Sequence, residues 1–263
     1  MDWITEAERK IPVLANVDLL VCGGGVAGVA AAICAARNGT RVLLVERYGF
    51  LGGMVTAALV ITTPPLNNGI NLEIYEKLMD RGAYRACTNL GDDPETQNLT
   101  AIDPEILKHE LVGMLMEQAV KLLLHTYIVQ SIVEDNVIKG VIIENKAGRQ
   151  AILAKIVVDA TGDGDVSALA KAPYETAETP SPMTMMFNMI GVDIKKAMAK
   201  IGSWGNLRKF VEQAVKNGEL SFDLGLYPYR YAPGLYAANL CYPDEINVWS
   251  GSLFEMNGLN PED

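Results

Sequence analysis

The stretch VDLLVCGGGVAGVAAAICAARNGTRVLLVER, residues 17–47, decides the fold. It joins an apolar run, three consecutive glycines, an alanine-rich segment, Gly39, and a second apolar run that ends in Glu46. Residues 17–22 and 41–45 read as buried strands, because each is a continuous apolar run bounded by glycine or polar residues. Residues 26–38 read as the helix between them, with Gly39 just past its end. A strand, a helix and a strand in this order make a right-handed crossover, so the two strands run parallel. Gly23, Gly25 and Gly28 keep the spacing G-x-G-x-x-G. The first allows the tight turn, the second lets a pyrophosphate approach the backbone, and the third lets the helix pack closely on the strand. The backbone N–H groups at the start of the helix, around Val26 and Ala27, then face the phosphates, and the helix dipole adds partial positive charge. Glu46 follows Gly28 by 18 residues and closes the second strand, with Arg47 next to it. A carboxylate there accepts hydrogen bonds from both ribose hydroxyls of an adenosine and repels a 2′-phosphate, which disfavours NADP.

The chain has 263 residues, 49% of them hydrophobic, enough for one large core or two smaller packed units. A net charge of -10 without a basic cluster excludes an electrostatic nucleic-acid footprint, so a small-molecule substrate is the expected partner. No apolar segment precedes the first strand and no later run is long enough to span a bilayer, so the expectation is a cytoplasmic protein without membrane contact. Cys22, Cys34, Cys87 and Cys241 lie far apart and form neither a disulfide framework nor a metal-ligand spacing. Cys22 and Cys34 are expected as small buried residues of the strand and helix. No metal is expected. Asn98-Leu99-Thr100 matches a glycosylation acceptor, which carries little weight without a secretion signal.

Farther along, residues 72–81 and 103–120 have helical apolar spacing. Asp103 and Pro104 supply an N-cap acceptor and a proline at the first helical position. Residues 122–133, 137–144 and 151–159 are β-rich and separated by turns at Asn136 and 146–149, which predicts an antiparallel meander that leads back into a core strand. Beyond Thr161, Pro173, Pro180, Pro182, Pro228 and Pro233 interrupt the chain. They leave helices near 194–201 and 207–217 and strands near 235–241 and 245–251. The predicted architecture is α/β: a Rossmann-like FAD/NAD(P)-binding domain over 1–172, with the meander at about 122–159, and an incomplete mixed α/β substrate or cap part over 173–263.

The glycine fingerprint alone does not separate NAD from FAD. Later residues do. In RYGFLGGMVT, residues 47–56, Gly52 and Gly53 let the backbone pass close to a bulky ligand, and Thr56 can donate to a phosphate or the flavin. In IVVDATGDGD, residues 156–165, Ala160, Thr161 and Gly162 end an apolar strand and allow close approach to the same dinucleotide from the other side. These two stretches resemble the glutathione-reductase-fold FAD flavoproteins, whose fingerprint is followed by an A-T-G element after a β-meander. More narrowly, ERYGFLGGMVT (46–56), DPEILKHELVGMLMEQAVKLLLHT (103–126), VVDATGDGDVSALAKAPYE (157–175) and PMTMMFNMIGVD (182–193) resemble the FAD-dependent oxidoreductases sometimes named xanthan lyase-like. The resemblance implies FAD bound by Gly23, Gly25, Gly28, Glu46, Gly52, Gly53, Thr161 and Gly162, with Ile128 at the adenine edge. It implies an FAD-dependent oxidoreductase acting on a small organic substrate. Members of that family are typically longer, and a later segment with another glycine and acidic element returns to the first domain. The chain therefore resembles a truncated member, with a complementary C-terminal polypeptide or a second copy as a possible partner. Two other readings stand beside it: a flavin-binding fragment or subunit that needs a second polypeptide, and an NAD-dependent dehydrogenase.

A flavin carries out the electron transfer, so no protein nucleophile is required and no catalytic residue is assigned. Paired cysteines, which a disulfide reductase needs, are absent after the fingerprint. His109 and His125 are read as structural. Asp163 and Asp165, flanking Gly164, are read as caps of the next helix. Met183, Met185, Met186 and Met189 are read as core filling. Tyr227, Tyr229, Arg230 and Tyr231 could grip an anionic or sugar-like substrate or form an ordinary surface loop.

Overall fold

The computed structural model describes residues 4–88, 98–176, 183–220 and 235–253. The tyrosine and arginine cluster at 227–231 lies outside these residues. Two compact units form, one from 1–53 and 111–174, the other from 54–110 and 175–263.

The first unit is built on the predicted crossover. β1 (Val13–Cys22), α1 (Val26–Arg37) and β2 (Val42–Val45) follow the sequence reading closely. β1 pairs in parallel with β2 on one side and with β9 (Gly148–Asp159) on the other, Cys22 standing opposite both Val45 and Asp159. Leu20, Val21, Cys22 and Leu44 have no exposed surface, as strands covered on both faces require. β6 (Lys121–Leu123) extends the sheet beside β2, while β7 (Tyr127–Glu134) and β8 (Val137–Asn145) complete an antiparallel meander with β9. The sheet order is therefore β6-β2-β1-β9-β8-β7. The single run expected over 122–133 is in fact two strands. His125 adopts a left-handed conformation, φ 51°, and the chain turns there from one strand to the next. The short helix α5 (Asp165–Leu169) follows β9.

In the second unit α2 (Met54–Ala57) leads to a small antiparallel sheet of β3 (Thr62–Thr63), β4 (Tyr84–Ala86) and β5 (Thr100–Ile102), with α3 (Gly69–Asp80) between β3 and β4. α4 (Pro104–Glu117) starts where predicted: Asp103 Oδ1 accepts from the amides of Glu105 and Ile106 at 2.9 and 3.2 Å. A second sheet runs β10-β12-β11, with β10 (Met183–Met189), β11 (Leu235–Asn239) and β12 (Ile246–Leu253) antiparallel. α6 (Ile194–Ile201) and α7 (Leu207–Lys216) connect β10 to β11. Ile61 and Ala101 share one buried cluster with Trp204, Ala237 and Val248. This common core groups 54–110 with the C-terminal part, and that segment interrupts the first unit. The methionine stretch is not core: it is strand β10, and Met185 and Met189 are 70% and 46% exposed.

Candidate functional site

The glycine turn is held by contacts that leave no room for side chains. Gly23 has φ 108°, and a Cβ on it would lie 2.2 Å from the Ala160 carbonyl oxygen. A Cβ on Gly28 would lie 1.9 Å from the Gly23 carbonyl oxygen, so the third glycine seats α1 on the turn. Gly25 is the N-cap of α1, with no side-chain cap and no acidic residue in the first turn. The first amides of this twelve-residue helix, at Val26 and Ala27, are thus set up for an anion from outside the chain. Gly52 and Gly53 fold back onto the same turn: Gly52 N donates to Gly24 O at 2.9 Å, and a Cβ on Gly53 would meet Gly25 Cα at 2.9 Å. Their glycines serve a backbone-to-backbone approach.

Glu46 is 7% exposed and its carboxylate is turned toward the glycine turn. Oε2 accepts from Gly24 N at 2.6 Å and Oε1 from Tyr48 N at 2.8 Å. These bonds fix the carboxylate and leave each oxygen a further lone pair. Glu46 lines an open cleft together with Gly23 and Arg47, facing Thr126, Tyr127 and Ile128 on one side and Thr161 and Asp165 on another. The guanidinium of Arg47 lies 4.9 Å from the Tyr48 ring centroid, and Tyr48 stacks on Phe50 with centroids 5.4 Å apart. Thr126 and Tyr127 were not anticipated, because the turn at His125 that brings them to the cleft has no signature in hydrophobic period. Thr126 N donates to Glu46 O at 3.0 Å, which ties this wall to β2.

On the third side, Asp159 organises the A-T-G element. It accepts from Thr161 Oγ1 at 2.7 Å and from Ser167 N and Oγ, each at 2.9 Å. Burial pushes the Asp159 carboxyl up, but the hydrogen bonds from Thr161 and Ser167 outweigh it and hold the group below its ordinary pKa. Asp163 and Asp165 do not cap α5. Gly164 precedes it in a left-handed conformation, and Thr161 Oγ1 accepts from Asp165 N at 2.8 Å. Ala160 N donates to Cys22 O at 2.8 Å, while Gly162 is exposed with φ 100°.

The remaining expected site residue, Thr56, is buried in α2 of the second unit. His109 is exposed beside Glu110, and the His125 ring rests on Gly49, where a Cβ would come within 2.5 Å of it. None of the four cysteines forms a disulfide. Cys22 is buried, and burial with the charge of Asp159 pushes its thiol up to about 12, whereas Cys34 is exposed, contrary to expectation. No helix among the described residues is long and apolar enough to cross a membrane.

The FAD dependent oxidoreductase family model matches residues 18–240. Digeranylgeranylglycerophospholipid reductase 1 of Methanococcoides burtonii is 27% identical over 190 residues, which cover 68% of this chain and 46% of that protein. Dihydrolipoamide dehydrogenase of Chaetomium thermophilum is 35% identical over 83 residues, 32% of this chain and 14% of that protein. The chain thus spans less than half the length of these curated relatives. Among solved structures, a geranylgeranyl bacteriochlorophyll reductase-like protein of Thermoplasma acidophilum superposes with a TM-score of 0.62 at 18% identity, covering 90% of this chain and 57% of that one. L-proline dehydrogenase of P. horikoshii superposes with a TM-score of 0.56 at 17% identity, covering 92% and 71%. At such identities the two structures attest the fold. The family match takes in the glycine turn, Glu46 and the Asp159–Thr161 element, and decides between the two dinucleotides for FAD: the chain belongs to the FAD dependent oxidoreductase family.

Proposed function

We propose that this chain holds FAD in the cleft beside Glu46 and serves an oxidoreductase that passes electrons between a small organic substrate and that cofactor. The observation that carries the reading is the buried Glu46 carboxylate, fixed by two backbone amides at the edge of an uncapped helix N-terminus. In this reading the amides of Gly25, Val26, Ala27 and Gly28 face the pyrophosphate, and Gly23 keeps the turn tight. Glu46 accepts from the ribose hydroxyls, and Arg47 and Ile128 border the adenine. Gly52, Gly53, Ala160, Thr161 and Gly162 belong to the remainder of the cofactor site. A bound flavin would supply the two-electron chemistry, and the chain would bind and orient it. The purified protein is expected to be yellow, to release FAD on heating, and to reduce an artificial acceptor when a substrate is supplied. A colourless protein that takes up no FAD would overturn the reading.

A second form of the same reading, in which a further polypeptide or another copy completes the enzyme, makes its own prediction. Turnover that appears only after such a polypeptide is added supports this form. Turnover by the isolated chain contradicts it. We also place the protein in the cytoplasm, within the xanthan lyase-like branch of the family; fractionation of the producing cells tests the location.

A further inference from the structure

A separate cavity lies wholly within the second unit, where the N-terminus of α4, Asn188 of β10 and the turn between β11 and β12 meet. Its volume is about 250 Å³. A void of roughly 150 Å³ already accepts benzene, so a small organic molecule fits. Leu59, Ile102 and Leu240 give it an apolar side, Asp103 and Glu245 give it two carboxylates, and no Lys, Arg or His is among its lining residues.

Both carboxylates are held from behind by neutral donors. Asp103 is 8% exposed; Oδ1 caps α4 and Oδ2 accepts from the Tyr242 hydroxyl at 2.9 Å. Glu245 Oε1 accepts from Asn188 Nδ2 at 3.1 Å, and Asn188 Oδ1 accepts in turn from Asn247 Nδ2 at 3.0 Å. Asn247 is fully buried, and its Oδ1 accepts from the Trp249 indole at 2.6 Å. Each donor in this chain is directed toward its neighbour, so it ends on a carboxylate. Neither Asp103 nor Glu245 has an ion-pair partner among the described residues, and Arg85 donates instead to the Cys241 carbonyl at 3.5 Å. Burial pushes the Glu245 carboxyl above its ordinary pKa, with the charges of Asp103 and Asp244 adding to the effect and the Asn188 hydrogen bond opposing it. A carboxylate withdrawn from water is costly without a counter-charge. No positive side chain lines the cavity, and a cation that carries hydrocarbon complements both its carboxylates and its apolar wall.

We propose that this cavity binds a small organic ammonium ion, its nitrogen donating to Glu245 and Asp103 and its hydrocarbon part lying on Leu59, Ile102 and Leu240. The site uses residues of the second unit alone and does not depend on the FAD reading. Titration of the full chain with n-butylammonium, 1-butanol and butyrate at neutral pH, followed by calorimetry and ligand-observed NMR, tests it. The ammonium is expected to bind saturably at one site, the alcohol about tenfold more weakly or worse, and butyrate not at all. Glu245→Gln should weaken the ammonium by about tenfold and leave the alcohol unchanged. Glu245 is the position substituted because Asp103 also caps α4, and an unchanged thermal midpoint shows that Glu245→Gln is folded. Should that variant not fold, the comparison of the three probes on the unaltered chain decides. Equal affinity for all three probes, no saturable ammonium binding, unchanged binding in Glu245→Gln, or displacement of the ammonium by Mg²⁺ or Ca²⁺ at equal concentration would overturn the proposal.

Discussion

At the scale of single residues, the site depends on atoms with no freedom to move. Gly28→Ala would drive a methyl group into the Gly23 carbonyl, with which it would share 1.9 Å, so α1 must lift from the turn. The expected outcome is a loss of bound FAD together with a lower melting midpoint, read by flavin absorbance and by thermal unfolding. Glu46→Gln replaces one acceptor oxygen by an NH₂ that faces a backbone amide. A buried N–H left without an acceptor costs about 1–3 kcal/mol, which urea unfolding should register. Asp159 sets a pH dependence. Its folded pKa is depressed, so the stability it contributes is fully present above the ordinary carboxylate value of about 4 and is lost as pH falls through the lower folded value. The stability gap between the native chain and Asp159→Asn should be constant near neutrality and shrink in acid; a gap that widens in acid contradicts this account. The glycines and Glu46 were legible because their spacing encodes a turn chemistry. Asp159 was not, because its role arises from Thr161 and Ser167 folding back around it.

At the scale of elements, period and punctuation carried β1, α1, β2, α4, α6 and α7. Each is either continuously apolar or has a recognisable start or stop, as with Asp103 and Pro104 before α4. What escaped was short or two-faced. β3, β4 and β5 hold two or three residues each and have no period of their own. The break at His125 depends on a left-handed conformation that a histidine does not announce. β10 looked like core because methionine usually is, yet alternate residues of the strand face outward. A matched pair of substitutions tests this contrast. Ile152→Ala in β9, where the side chain is fully buried, should cost about 2–5 kcal/mol. Met185→Ala in β10, 70% exposed, should cost within about 0.5 kcal/mol. Denaturant midpoints of the two variants decide; equal losses would mean that β10 is buried against something.

At the scale of the whole molecule, a fingerprint in the first 50 residues was enough to name the fold class but not the partition of the chain. The segment 54–110 leaves the first unit because Ile61 and Ala101 find their core partners in Trp204 and Val248, contacts far apart in sequence that composition cannot register. Binding of FAD to the folded chain should raise its apparent stability by about 2.7 kcal/mol at a free concentration 100 times the Kd, seen as a concentration-dependent melting midpoint. FAD binding turns on whether an adenosine diphosphate is gripped between Glu46 and the start of α1. Fluorescence titration of the flavin-free chain and its Glu46→Gln variant with FAD and with FMN, which lacks the adenosine, tests that grip most directly. The native chain should bind FAD at least about tenfold more tightly than FMN, and Glu46→Gln should lose most of that preference. Equal binding of the two flavins by the native chain, or an undiminished preference in the variant, would contradict it.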